Sequence, residues 1–137
     1  MSDSAMKKIL IVEDDADLRH ILSDRLSSYN YEVFQAEDGE KAIELIQAHR
    51  PQLVVLDLLL PKKDGFQVLD EVRHHAERDI SDTLIIVLSN LWSNKDILKV
   101  KALRVDEYYV KANTNLEEVF DKIKAVMKTQ VLPGDQQ

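Results

Sequence analysis

The side chains in this sequence that suit phosphoryl chemistry all fall at the ends of short apolar runs. Glu13, Asp14 and Asp15 close the run KKILIV, and Asp57 closes LVVL. Ser89 closes LIIVL, and Lys111 closes YYV. Carboxylates brought together repel one another unless a cation sits among them. Oxygen ligands with no His or Cys in the pattern favour a hard cation, Mg²⁺, with Mn²⁺ as the alternative. A lysine and a hydroxyl beside it supply the point charge and the hydrogen-bond donor that phosphoryl oxygens need. A carboxylate can itself be the nucleophile and form an aspartyl phosphate. The residues therefore point to Mg²⁺-dependent phosphoryl transfer onto Asp57. Plainer readings stand beside this one. Asp57 could merely finish a strand, Glu13 and Asp14 could merely start a helix favourably, and Ser89 and Lys111 could be ordinary surface residues.

The chemistry requires these residues side by side, and the rest of the chain supplies the means. Short apolar runs such as LVVL read as strands of a parallel sheet buried on both faces. A further strand is Tyr31 to Ala36, YEVFQA. Helical stripes lie between the strands. Leu18, Ile21, Leu22 and Leu26 mark one helix, and Ala42, Ile43 and Ile46 another, after a turn at Gly39 and ending before Pro51. Gly65, Leu69, Val72 and Ala76 mark a third, followed by a polar stretch from Glu77 to Asp82. Ile97, Val100 and Leu103 give a weaker fourth. Leu116, Val119, Phe120, Ile123 and Met127 give a fifth, capped by Asn115 with Glu118 completing a capping box. Strand and helix alternate five times, which predicts an α/β fold with helices on both faces of a parallel sheet. All strands then end on one edge, where such folds bind ligands.

Composition narrows the class. A chain of 137 residues is expected to form one domain. We expect tails at 1–6 and 129–137, Pro133-Gly134 lying in the second, and a folded domain at 7–128. A net charge of -7 argues against nucleic acid or an acidic membrane as the primary partner. There is no cysteine, so thiol chemistry and disulfides are absent. No apolar stretch is long enough to span a membrane, and MSDSAMKK has no apolar core of a signal peptide, so a cytoplasmic location is expected. Three glycines supply no loop to cradle a nucleotide's phosphates. His74 and His75 lack ligand spacing and read as surface.

The segments KKILIVEDD, LVVLDLLLPKKDG, IIVLSN and DEYYVK, in this order and spacing, resemble the receiver domain of bacterial two-component response regulators, from Lys7 to Lys128. The resemblance implies a flavodoxin-like (βα)5 sandwich of three layers with a five-stranded parallel sheet ordered 2-1-3-4-5. It implies that Asp57 is the phosphoacceptor, served by a histidine kinase or a histidine phosphotransfer protein. Glu13, Asp14, Asp57 and the main-chain carbonyl of Leu59 would hold Mg²⁺, leaving Asp15 to start a helix. Lys111 and Ser89 would bind the phosphoryl group, and Ser89 and Tyr108 would move in the switch. Tyr109 shares strand parity with Lys111, so the choice of Tyr108 rests on the family alone. Leu59 and Leu91 would flank the path of the hydrolytic water and offer it no hydrogen bond. The output would be a surface of the fourth and fifth helices and the fifth strand, read by a downstream protein partner. The protein would act as a monomer or a phosphorylation-dependent homodimer, and as a switch rather than a turnover enzyme.

Three positions depart from the family pattern. Ala112 follows Lys111 where proline is usual, Asn90 follows Ser89 where alanine is common, and Arg104 stands where glycine often does. Two other functions compete with this one. An aspartate-nucleophile phosphatase needs a second Asp where Leu59 stands. A phosphorylation-independent interaction module would keep the fold and use only its surface. Trp92 reads as a partner anchor or as packing, and Lys62 and Lys63 as solvated residues or kinase contacts.

Overall fold

The protein is described by a computed structural model covering residues 6–91 and 93–130. The expectations for Trp92 and for most of the two tails, Pro133-Gly134 included, fall outside the described residues. The chain runs β1 (Lys8–Val12), α1 (Ala16–Ser28), β2 (Glu32–Ala36), α2 (Gly39–His49), β3 (Leu53–Leu56) and α3 (Gly65–Arg73). It continues through α4 (Arg78–Ser81), β4 (Leu84–Ser89), α5 (Asn94–Lys101), β5 (Glu107–Val110), a 3₁₀ turn (Lys111–Asn113) and α6 (Leu116–Met127). All strand pairings are parallel, and the sheet order is β2-β1-β3-β4-β5.

Strand side chains alternate between faces, and two cores result. Leu10, Val12, Val54, Leu56, Ile85 and Val87 pack with Ala42, Ile46, Val68, Leu69, Val72, Ile80 and Val100 from α2 to α5. Ile9, Ile11, Leu53, Val55, Ile86 and Leu88 pack on the other face with Leu22 and Leu26 of α1 and Val119, Phe120, Ile123 and Met127 of α6. The β3 residues are buried on both faces, which is why LVVL reads as a continuous apolar run.

Several local expectations are corrected. The short helix α4 occupies part of the polar stretch from Glu77 to Asp82, because Ile80 is buried there and anchors one turn. Helix α3 stops at Arg73, so Ala76 lies beyond it and is exposed. Ile21 points to solvent, 53% exposed, and the buried face of α1 is made by Leu22 and Leu26 instead. Asn115 does cap α6, accepting from the Glu117 N–H, but the capping box forms at α3, between Asp64 and Gln67.

Two glycines are required by close approach. A Cβ on Gly39 would lie 1.8 Å from the Lys63 carbonyl oxygen, so Gly39 opens α2, with Asp38 as its cap, rather than merely marking a turn. A Cβ on Gly65 would lie 2.4 Å from the Asp57 carbonyl oxygen. Gly65 thus lets α3 begin directly against the strand end that carries Asp57.

A charge lies inside this apolar architecture. The Arg73 guanidinium is buried and donates to four main-chain carbonyls: Leu103 at 2.7 Å, Ser81 at 2.8 Å, Thr83 at 2.7 Å and Arg104 at 2.6 Å. Burial lowers its pKa, with the nearby Arg104 charge acting in the same direction. Arg73 ties α3 to the start of β4 and to the loop before β5. Arg104 itself has φ of 59°, the left-handed region, which explains why a glycine would be at ease there.

Candidate functional site

Because β1, β3, β4 and β5 are parallel and neighbouring, their ends deliver side chains to one edge. Glu13 follows β1, Asp57 follows β3, Ser89 ends β4 and Lys111 follows β5. The Lys111 ammonium lies 2.7 Å from Asp57 Oδ2 and 2.6 Å from Glu13 Oε1. Asp57 and Glu13 are almost wholly buried, 3% and 2% exposed. The other Asp57 oxygen, Oδ1, accepts the Leu59 N–H at 3.0 Å, and Glu13 Oε2 accepts the Asp15 N–H at 3.1 Å. Glu13, Asp14 and Asp57 each offer a carboxylate oxygen within 4.8 Å of the others.

The charge balance follows from these distances. Burial pushes the Glu13 carboxyl above its ordinary value, and the neighbouring Asp57 charge adds to this. The Lys111 hydrogen bond and the Asp15 N–H offset only part of the rise. Burial alone would lower Lys111, but hydrogen bonds to Asp57 and Glu13 outweigh it and hold the ammonium more firmly protonated than usual. One ammonium facing three carboxylates leaves the cluster net negative. Oxygen donors, partial burial and that residual charge fit a hard divalent cation.

The remaining expected residues surround this centre. Asp14 is exposed at the mouth, where a pocket of about 400 Å³ is lined by Asp14, Leu58, Leu59, Leu60, Phe66 and Leu91, among others. Leu59 is half-exposed there, so the rim beside Asp14 is apolar. Ser89 is fully buried, and its Oγ accepts the Leu58 and Leu91 N–H groups, both at 3.4 Å. Tyr108 packs with the core under α2, α3 and α5, while Tyr109 faces α1 and α6. The Tyr108 hydroxyl donates to the Leu91 carbonyl. Burial raises its pKa, helped by the Asp96 and Asp57 charges. Asp15 caps α1, accepting from the Asp17 and Leu18 N–H groups, as a helix-start residue should.

Sequence reasoning missed Arg19, whose guanidinium donates to the Glu13 carbonyl at 2.8 Å and to Gln35 Oε1 at 3.2 Å, fixing the β1 end. An arginine one turn into the helix after an acidic cluster was the available signal. Sequence reasoning read Lys62 and Lys63 only as solvated residues or kinase contacts and did not foresee their ion pairs. Lys63 pairs with Glu71, and Lys62, at φ 66°, brings its ammonium 3.7 Å from Asp38. No helix among the described residues is long and apolar enough to cross a membrane.

The sequence profile of the response regulator receiver domain matches residues 9–124. The chain belongs to the response regulator receiver domain family. The probable transcriptional regulator ycf27 of Cyanophora paradoxa is 44% identical to this receiver over 105 residues, which are 77% of this chain and 42% of that protein. The receiver spans about half the length of the curated relatives it matches, or less. Among solved structures, the phosphorylated cyanobacterial phytochrome response regulator RcpA superposes with a TM-score of 0.77 at 31% identity, covering 95% of this chain and all of that one. The Mn²⁺-bound form of response regulator Rcp1 gives a TM-score of 0.76 at 29% identity, covering 93% and 99%. The α/β fold and strand order expected from the sequence are those of this family.

Proposed function

We propose that this receiver is a phosphoacceptor switch in which Asp57 takes a phosphoryl group from a phosphohistidine. The observation that carries the reading is Lys111, whose ammonium joins Asp57 and Glu13 within hydrogen-bond distance beside the exposed Asp14. Such a centre holds a nucleophilic carboxylate with its countercharge already in place. In the reaction an Asp57 oxygen attacks phosphorus, and the bond between phosphorus and the donor's imidazole nitrogen breaks. The electron pair leaves with the imidazole, and an acyl phosphate remains.

A divalent cation would be held by Glu13, Asp14, Asp57 and the main-chain carbonyl of Leu59, and would supply neutralisation of the phosphoryl charge. Mg²⁺ suits this donor set, with Mn²⁺ as its alternative. Lys111 has one carboxylate partner in Glu13 and can follow the phosphoryl oxygens while keeping it. Phosphorylation adds about 1.5 to 2 negative charges at the strand end. Ser89, whose Oγ accepts the Leu58 and Leu91 N–H groups, then turns its hydroxyl proton toward the new oxygens. That movement draws on Leu91, whose N–H lies on Ser89 Oγ and whose carbonyl holds the Tyr108 hydroxyl. The face made by α5, β5 and α6 changes as a result, and a protein partner reads the two populations. The same site makes the receiver a substrate and switch rather than a turnover enzyme. The donor is a histidine kinase or a histidine phosphotransfer protein.

The test is direct. With acetyl phosphate and Mg²⁺, intact-mass analysis should show the gain of one phosphoryl group, abolished by Asp57→Ala or by chelation. A gain that survives Asp57→Ala, or none at all, refutes the proposal.

A further inference from the structure

The backbone ladder between β4 and β5 runs as far as Ser89 opposite Val110. Beyond that pair the two segments turn away from the sheet, β4 into a bend at Asn90 and β5 into the 3₁₀ turn at Lys111–Asn113. Among the described residues one hydrogen bond still joins them. The Ala112 N–H donates to Asn90 Oδ1 at 3.0 Å. The first N–H groups of a helical turn have no acceptor within it, and the Asn90 amide supplies one. The turn is closed on itself as well. The Thr114 hydroxyl donates to the Val110 carbonyl at 2.7 Å, and the Thr114 N–H to the Lys111 carbonyl at 3.4 Å. Lys111 and Ala112 therefore move together. On the other side, Asn90 is one peptide bond from Ser89.

We propose that Asn90 is a positioning residue of the phosphoryl site: its side chain yokes the strand end carrying Ser89 to the strand end carrying Lys111, so both engage a phosphoryl group as one unit. The proposal rests on the phosphoacceptor reading and extends it. Without the yoke, Ser89 and Lys111 must be ordered separately, and the phosphorylated geometry is less favoured. The bond is exposed, beside a cavity of about 430 Å³ lined by Asn90, Val110, Ala112 and Asn113. Its loss should cost a few-fold rather than orders of magnitude.

The test titrates beryllofluoride, a phosphoryl mimic, into the full chain at saturating Mg²⁺, followed by fluorine NMR. Asn90→Leu should bind it about five-fold more weakly, while the affinity for Mg²⁺ alone stays that of the wild type. Asn90→Asp, which keeps the acceptor oxygen, should recover most of the loss in raised salt. Ala112→Pro removes the donor, so Asn90→Leu should have no further effect in that background. Wild-type affinity in Asn90→Leu, a parallel loss of Mg²⁺ affinity, or full additivity with Ala112→Pro overturns the yoke. Asn90→Asp no better than Asn90→Leu also overturns it, and this comparison decides alone should Ala112→Pro fail to fold. The phosphoacceptor reading fails separately, if wild type does not bind beryllofluoride or if binding survives Asp57→Ala.

Discussion

Replacing Lys111 by methionine keeps most of the aliphatic stem and removes the ammonium, the one cation in ion-pair contact with Glu13 and Asp57 among the described residues. Both carboxylates are at most 3% exposed, so they are left with little water to replace it. Removing one partner of a buried pair costs about 3–5 kcal/mol. Lys111 retains 19% side-chain exposure, which lets water in and favours the low end, about 3 kcal/mol. A domain of this size then melts about 10 °C lower in chelator at neutral pH. A divalent cation held as proposed would supply the missing countercharge in the folded state only. Mg²⁺ at a hundred-fold excess over its Kd returns about 2.7 kcal/mol. Its stabilising effect should be larger in Lys111→Met than in wild type, where the ammonium already shares the carboxylates. The assay is a pair of thermal melts, with chelator and with saturating Mg²⁺, for both proteins. A loss of equal size in both conditions would show that Lys111 acts through its packing and not as the countercharge of the acidic cluster.

Arg104→Gly should stabilise the protein by about 1 kcal/mol by relieving the left-handed backbone, whereas Arg104→Ala, which keeps a Cβ, should not; equal urea midpoints for the two variants would refute this. Leu59→Asn with Leu91→Glu puts polar groups on the apolar rim of the pocket and should shorten the life of the acyl phosphate at least several-fold, measured by loss of the phosphoryl mass. Equal decay rates in variant and wild type would sink the idea. Gly65→Ala drives a Cβ into the Asp57 carbonyl and should both destabilise by more than about 2 kcal/mol and slow phosphorylation by acetyl phosphate; an unchanged melt shows the approach to be looser than it looks. Alkaline titration should show stability falling as pH rises past about 10. Tyr108, Tyr109 and Lys111 all have raised pKa values when folded, so above the ordinary values the folded state binds more protons than the unfolded one. Stability that holds level through that range in urea melts contradicts the assignment.

The centre of this site was legible because of how parallel sheets are built. A strand covered on both faces must be apolar throughout, so a carboxylate, hydroxyl or ammonium at its end stands out, and topology brings those ends together. Glu13, Asp57, Ser89 and Lys111 could be read in this way without any knowledge of side-chain contacts. What stayed hidden depends on partners far along the chain. Arg73 breaks no helical pattern in sequence, and only the carbonyls of Ser81, Thr83, Leu103 and Arg104 explain how a guanidinium is buried there. Asn90 and Ala112 looked like two unrelated departures from a family pattern, yet each is the other's hydrogen-bond partner. Ile21 sat in good helical register, but the buried face of α1 is narrower than the apolar stripe.

The Arg73 clamp has a mechanical consequence for α5. This helix leaves the edge of the sheet that carries Asp57 just after Leu91 and ends just before Leu103 and Arg104, whose carbonyls Arg73 grips from inside the protein. One end of the rod is therefore pinned, and the other follows the segment after Ser89, which is the part that moves in the proposed switch. Eight residues span about 12 Å, so a shift at Ser89 makes α5 swing about a fixed rear pivot instead of sliding along its axis. Displacement is then greatest near Ser93 and Asn94 and fades toward Lys101. A partner that senses such a swing would gain most by gripping the front of the rod, at Ser93 and Asn94.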